Sequence, residues 1–305
     1  MKAIVIHQYG GPEELKYEDA PDPVLKHGEV LVQLAATSIN PVDFKVRTGA
    51  LQKYMPLQLP AILGRDAAGT VKELGPGVSG FKIGDRVMGL TMAAYAELVA
   101  IKAKDLAHIP EGLDTLEAAV LPLVTLTGEQ LVTRGIKAAR GQTVLVAGAI
   151  GGVGRSAVYA LKHVGAKVIA GVRSKQMDEA AELGADAIIS LEDDAQINKY
   201  APFDAVADTV GHETAEKLLA LVKLGGTFAS VLGDPANRKD HPSVNVVSIR
   251  VAEDGPELEE LAHAVVEGKL RIPIGKRLPL AQMAEAHRLA EKGGIGKILI
   301  TIAPQ

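Results

Sequence analysis

Gly148, Gly151, Gly152 and Gly154 are separated only by small or aliphatic residues, a pattern that would let an anion approach bare backbone. A pyrophosphate reaches the free N–H groups of a helix N-terminus only where no Cβ blocks it. The stretch reads A-x-G-G-V-G, from Ala149 through Ile150, Gly151, Gly152 and Val153 to Gly154. Ala149 therefore stands where the usual G-x-G-x-x-G pattern has its first glycine. Further on come Arg173, Ser174 and Lys175. A carboxylate at this place takes a ribose 2′-hydroxyl, whereas a guanidinium can hold a 2′-phosphate bidentately. The first acid after these residues, Asp178, falls in the next predicted helix. The combination predicts NADPH as cofactor.

Those residues need a strand, a turn, a helix and a second strand to position them. Thr143 to Ala147 is short, apolar and β-rich, as a strand buried on both faces should be. From Val153 onward, Val158, Leu161 and Val164 recur at helical spacing, and Gly165 stands at a helix C-cap. Lys167 to Val172 is the second strand. Together they predict the βαβ unit of a dinucleotide-binding fold. Alternation continues with a helix over Met177–Leu183 stopped by Gly184 and strands over Ala187–Ser190 and Phe203–Thr209. A helix over Glu213–Leu224 closed by Gly225 then leads into a strand over Thr227–Leu232. The fold class is α/β, with a doubly wound parallel sheet.

Residues 1 to 118 read differently. Ala3–Ile6, Val30–Ala35 and Ala94–Val99 are strand candidates, and Leu59 to Gly89 alternates short strands with Gly-Pro-Gly and Gly-Asp turns. A compact, β-rich, barrel-like domain is expected. Asp114 with Glu117 predicts a capping box, and Ala118 to Val132 is helical in period despite Pro122. The domain boundary is placed there. Near the end, Pro256 opens a helix over Glu257–Glu267, followed by a helix over Ala281–Lys292 and a strand over Lys297–Ile302.

At 305 residues, 47% hydrophobic and 23% charged, the chain can bury two cores. A net charge of −4 with mixed signs offers no basic face for nucleic acid or for a membrane. No apolar run reaches spanning length and the N-terminus turns polar too early for a signal peptide. The chain has no cysteine, which removes disulfides and thiolate metal ligands, and its 8 histidines show no ligand spacing. The expected setting is cytoplasmic, as a homodimer acting on a small molecule.

The stretches SINPVDFKVRTG, ILGRDAAG, GFKIGDRV, LPLVTLTG, AGAIGGVG, LGAD, FDAVADTVG and GKILI occur in order from end to end. In these the chain resembles the medium-chain dehydrogenase/reductase superfamily, and within it the zinc-independent quinone oxidoreductase-like branch. The resemblance implies a GroES-like catalytic domain, 1–118 completed by 258–305, and a Rossmann NADPH-binding domain, 119–257. Zinc alcohol dehydrogenases of this superfamily carry a Cys and a His as catalytic ligands. Asn40 and Arg65 occupy those places here, and neither an amide nor a guanidinium suits Zn²⁺.

The same resemblance sets Asn40 in the substrate cleft beside the nicotinamide, as donor to a developing oxyanion. Tyr54 is the nearest phenol, either a proton donor or a loop packing residue. Asp43 and Arg47 are expected to form a structural ion pair. Thr127 matches a position that contacts nicotinamide in relatives, and Val210, Val231 and Leu232 fall at C-terminal ends of strands, where open α/β sheets bind ligands. Many relatives stack a Tyr near the adenosine where Ser190 and Leu191 stand here. The expected activity is hydride transfer from NADPH to a quinone or an α,β-unsaturated carbonyl, without metal. The alternatives are an alkenal/enone double-bond reductase with little quinone activity and a low-turnover NADPH-binding sensor or structural protein.

Overall fold

A computed structural model describes residues 1–302. The chain divides into two compact units, Met1–Leu123 with the segment from Glu253 onward, and Val124–Ala252. The crossing at Leu123 lies inside the Pro122–Gln130 helix, because Pro122 does not sit mid-helix as the period suggested. A short helix, Thr115–Ala118, ends before it, and Pro122 opens a new one, where its missing N–H costs nothing. Asp114 caps the first helix by accepting from Leu116 N and Glu117 N. The reciprocal half of the box is replaced by an ion pair, since Glu117 receives Arg277.

In the first unit, Glu29–Ser38 is the central strand. It pairs antiparallel with Asp66–Leu74, Leu98–Lys102 and Lys297–Thr301. It runs past the apolar stretch because Thr37 and Ser38, both fully buried, find partners: Thr37 donates to Asp66 O and Ser38 to the Asp66 carboxylate. Sequence periodicity missed Ile274–Pro279, whose middle residues are exposed. It also placed one strand over Ala94–Val99 that forms at Leu98–Lys102. The apolar core gathers Ile4, Val32, Leu34, Val71, Val87, Tyr95 and, from the C-terminal segment, Met283 and Ile300.

The second unit contains a sheet of six parallel strands. It runs from Ala187–Ser190 through Lys167–Val172, Thr143–Ala147, Phe203–Asp208 and Val222–Ser230 to Asn245–Ser248. Strand order reverses between Thr143–Ala147 and Phe203–Asp208, the switch point where doubly wound sheets open a crevice. Side chains of the central strand alternate between two cores. Val144 and Val146 meet Ala157, Val158 and Leu161 of the Gly152–Val164 helix, while Leu145 and Ala147 share a cluster with Ala215, Leu218 and Leu219 of His212–Leu219. That second helix is shorter than its apolar run. Strand pairing claims the chain from Val222 and carries it through Gly225, at φ +76°, where only glycine is unstrained.

Candidate functional site

In the second unit the helix Gly152–Val164 begins at Gly151 with no side chain capping it. The first N–H groups of such a helix have no intrahelical partner and attract anions. A Cβ on Gly151 would meet only Gly148 O, at 3.3 Å, so the approach is open. A Cβ on Gly154 would lie 2.2 Å from the same oxygen, so turn and helix touch there. Gly148, at φ +77°, makes the tight turn, with Thr209 Oγ1 2.5 Å from where its Cβ would be. This explains how Ala149 is accommodated: the positive φ falls one residue earlier, and the buried Ala149 needs only its N–H, donated to Gly171 O.

Arg155, 4% exposed, holds this turn from the first turn of the helix. Its Nε donates to Ile150 O at 2.9 Å and its Nη2 to Glu179 at 2.7 Å. Gly128 lets the Pro122–Gln130 helix approach, since a Cβ there would lie 2.4 Å from Val153 O. Its neighbour Thr127 is 6% exposed. Val210 and Val231 are half-buried and Leu232 is 43% exposed, all just past strand ends. Asp208, which carried no assigned role in the sequence, organises them. Its Oδ1 accepts from Val210 N and Gly211 N, each at 3.0 Å, and its Oδ2 accepts from Ser230, whose Oγ accepts from Leu232 N. The recoverable signal was an acid at the end of an apolar strand, where burial demands such partners.

Arg173, Ser174 and Lys175 are exposed, as a phosphate-binding loop requires. The structure corrects one part of the reading. A carboxylate does reach this loop, from the adjacent strand's end: Ser174 N donates to Glu192 Oε2 at 3.0 Å. Hydrogen bonds from Ser174, then the charges of Arg173 and Lys175, hold the Glu192 carboxyl below its ordinary range.

The first unit holds a closed polar cluster around Asn40. Asn40 is fully buried and is the N-cap of Pro41–Arg47, its backbone N–H donated to Asp43 Oδ2. Its Nδ2 donates to Asp66 Oδ2 at 2.7 Å and its Oδ1 accepts from Lys297 Nζ at 2.7 Å. Lys297, 9% exposed, also reaches Asp66 Oδ2 at 3.2 Å, and Asp66 Oδ1 accepts from Leu123 N. The expected direct oxyanion contact does not fit this burial; here Asn40 bridges a lysine and an aspartate. Tyr54, 59% exposed with Lys53 Nζ 5.9 Å from its ring, stands in a different environment, on a surface turn.

The expected Asp43–Arg47 pair does not form. Arg47 pairs with Glu291 and donates to Gly10 O and to His287 Nδ1. Asp43 accepts from Asn40 N and from Tyr95 Oη, each at 2.8 Å, while His287 Nε2 lies 3.2 Å from that hydroxyl. With Arg47 donating to Nδ1, the His287 proton is on Nε2 and the chain runs His287 to Tyr95 to Asp43. Burial pushes the Asp43 carboxyl up to about 7. Burial first, and Arg47 second, bring His287 down to about 3. Desolvation likewise raises the Tyr95 phenol. Tyr95, His287 and Lys297 come from three distant segments, and although Lys297 lies in the GKILI stretch, nothing in the local sequence of any of them gives its partners.

Arg65, which the resemblance sets at a zinc-ligand place, is committed to other partners. It is tied to Thr91 O at 2.7 Å and to Glu253 at 3.0 Å. Among the described residues no group of three or more His, Cys, Asp or Glu could hold an ion. No helix among them is long and apolar enough to cross a membrane.

An open glycine turn at the switch point of a parallel sheet, in a chain whose other unit is a mostly antiparallel β fold, is the arrangement expected of a dinucleotide-dependent dehydrogenase or reductase. Residues 26–111 match the alcohol dehydrogenase GroES-like domain family and residues 183–300 the zinc-binding dehydrogenase family. A quinone oxidoreductase of Pseudomonas aeruginosa is 32% identical over 94% of this chain and 94% of its own length. The 2-methylene-furan-3-one reductase of Solanum lycopersicum is 32% identical over 100% of this chain and 80% of its own. A polyketide synthase of Streptomyces halstedii is 31% identical over 92% of this chain, which spans only 5% of that protein. Among solved structures, the quinone oxidoreductase from Coxiella burnetii superposes with a TM-score of 0.89 at 31% identity, covering 99% of both chains. A mycobacterial relative solved with NADPH has a TM-score of 0.84 at 29% identity, covering 99% of this chain and 100% of that one. The chain belongs to the medium-chain dehydrogenase/reductase superfamily, in its quinone oxidoreductase-like branch. It is an oxidoreductase that uses a nicotinamide cofactor, NAD(P)H.

Proposed function

We propose that the protein is a zinc-independent, NADPH-preferring reductase of quinones or α,β-unsaturated carbonyls. The observation that carries this reading is the uncapped, glycine-lined helix N-terminus at Gly151, with Arg173 and Lys175 on the next strand's end. The residues fit a dinucleotide. Ala149 to Val153 would take the pyrophosphate, Arg173, Ser174 and Lys175 the 2′-phosphate, and Thr127, Val210, Val231 and Leu232 would line the nicotinamide end. When bound, the cofactor supplies the hydride. The chain's own part is to orient the acceptor, exclude water and pass a proton from solvent or from the exposed Tyr54. Asn40 acts as a positioning residue that keeps Lys297 and Asp66 in register. No Lewis acid is invoked, which favours acceptors already electron-poor.

The tomato relative's name fits the enone variant of this reading and the Pseudomonas relative's name the quinone variant. Steady-state assays of a quinone and enal panel with NADPH and NADH decide it. Turnover of neither class would end the proposal. Replacing Arg173 with Ala should weaken NADPH about tenfold, the loss of one charge-assisted contact, and leave NADH within about twofold. We further propose a homodimer, which light scattering tests.

A further inference from the structure

The exposed loop after Lys167–Val172 holds two cations and, against them, one anion of the chain itself. Glu192 Oε2 accepts the Ser174 backbone N–H at 3.0 Å, which is how a phosphate oxygen would use that donor. Its position is built in. Glu192 N donates to Ser190 Oγ at 3.1 Å, and Ser190 Oγ lies 2.8 Å from Ser174 Oγ, so the two strand ends are fastened together. The next residue, Asp193, caps the following helix through Ala195 N and Gln196 N and fixes the backbone on the other side. The Glu192 side chain itself is exposed, so it can turn outward without moving either strand end.

We propose that Glu192 is a specificity-determining residue, an internal stand-in for the 2′-phosphate that moderates the preference for NADPH over NADH. The proposal rests on the cofactor reading given above. A phosphate monoester and a carboxylate cannot both use the Ser174 N–H and the field of Arg173 and Lys175, because like charges at contact distance repel. NADPH must therefore turn Glu192 out toward solvent, where it goes on opposing the incoming charge. NADH brings no phosphate and leaves the carboxylate in place. The Coulomb attraction that Arg173 and Lys175 exert on Glu192 is the same attraction the phosphate would draw on.

The test is fluorescence titration of NADPH and NADH into the wild-type protein, Glu192→Gln and Arg173→Ala. Glutamine keeps the shape and an acceptor oxygen but removes the charge. Glu192→Gln should tighten NADPH about fivefold, the size of an exposed charge interaction, with NADH changed less than about twofold. The gain should shrink as salt is raised. If Arg173→Ala weakens NADPH alone while Glu192→Gln changes nothing, the stand-in role is wrong and the cofactor reading survives. If the wild type prefers NADH and Glu192→Gln weakens NADH, Glu192 is a ribose ligand, and both readings fall.

Discussion

Two helix N-termini show how the same backbone feature is closed in one unit and left open in the other. At Pro41–Arg47 the N-cap is Asn40, the Asp43 side chain reaches back to its backbone N–H, and every polar group named around it has a hydrogen-bond partner. At Gly152–Val164 the N-cap is Gly151, no side chain reaches back, and the glycines hold the space clear. The first arrangement converts polar side chains into rigidity; the second keeps donors available to a ligand. Chemistry-bearing residue types are denser in the first region, yet the backbone left open to approach is in the second. Residue type alone is therefore a poor guide to where donors stay accessible.

The sharpest break of that comparison is Lys297→Met. It should leave Asp66 without its ion-pair partner and Asn40 Oδ1 without its donor in a buried site, costing about 3–5 kcal/mol in urea unfolding. A loss below about 1 kcal/mol would mean the cluster is not what holds the first unit.

Next come two pH differences of opposite sign, each up to a few kcal/mol. Asp43 binds its proton more tightly folded than unfolded. Its contribution is therefore most favourable at low pH and declines as pH rises from about 4 toward 7. His287 is held neutral, so its contribution is complete above its ordinary value near 6.5 and is lost as pH falls toward about 3. The two oppose each other in the wild type. The stability advantage of wild type over His287→Gln should shrink on acidification from pH 7 to 5, and that over Asp43→Asn should grow. Thermal melts across this range check both signs.

Gly151→Ala and Gly154→Ala sharpen the other side. Gly151→Ala asks Gly148 O to give by only a few tenths of an ångström but blocks the approach, so NADPH should weaken about tenfold with a melting temperature lowered only slightly. Gly154→Ala forces the turn oxygen away and should cost about 1–3 kcal/mol of stability besides. Equal melting temperatures for the two variants would contradict the packing described here. The smallest effect belongs to Tyr54→Phe, expected to leave kcat within about twofold if solvent supplies the proton. A tenfold loss would return Tyr54 to the chemistry.

Local pattern determined much of this protein. The strand Thr143–Ala147, the C-cap at Gly165 (φ +83°) and the strand Lys167–Val172 formed where periodicity and glycine placed them, because each depends on neighbours in the chain. The family and its fold were legible for the same reason, through ordered motifs from end to end. What only the tertiary structure decided were pairings across long separations. Arg47 finds Glu291 rather than Asp43, Lys297 reaches Asn40, and Glu192 closes on Ser174 from the neighbouring strand. Helix ends also moved where a proline could open a helix at Pro122 or a strand could recruit residues from Val222 onward. Hydrogen-bond partners of buried charges are chosen by proximity in space and by the cost of leaving any of them unmatched, and spacing along the chain records neither.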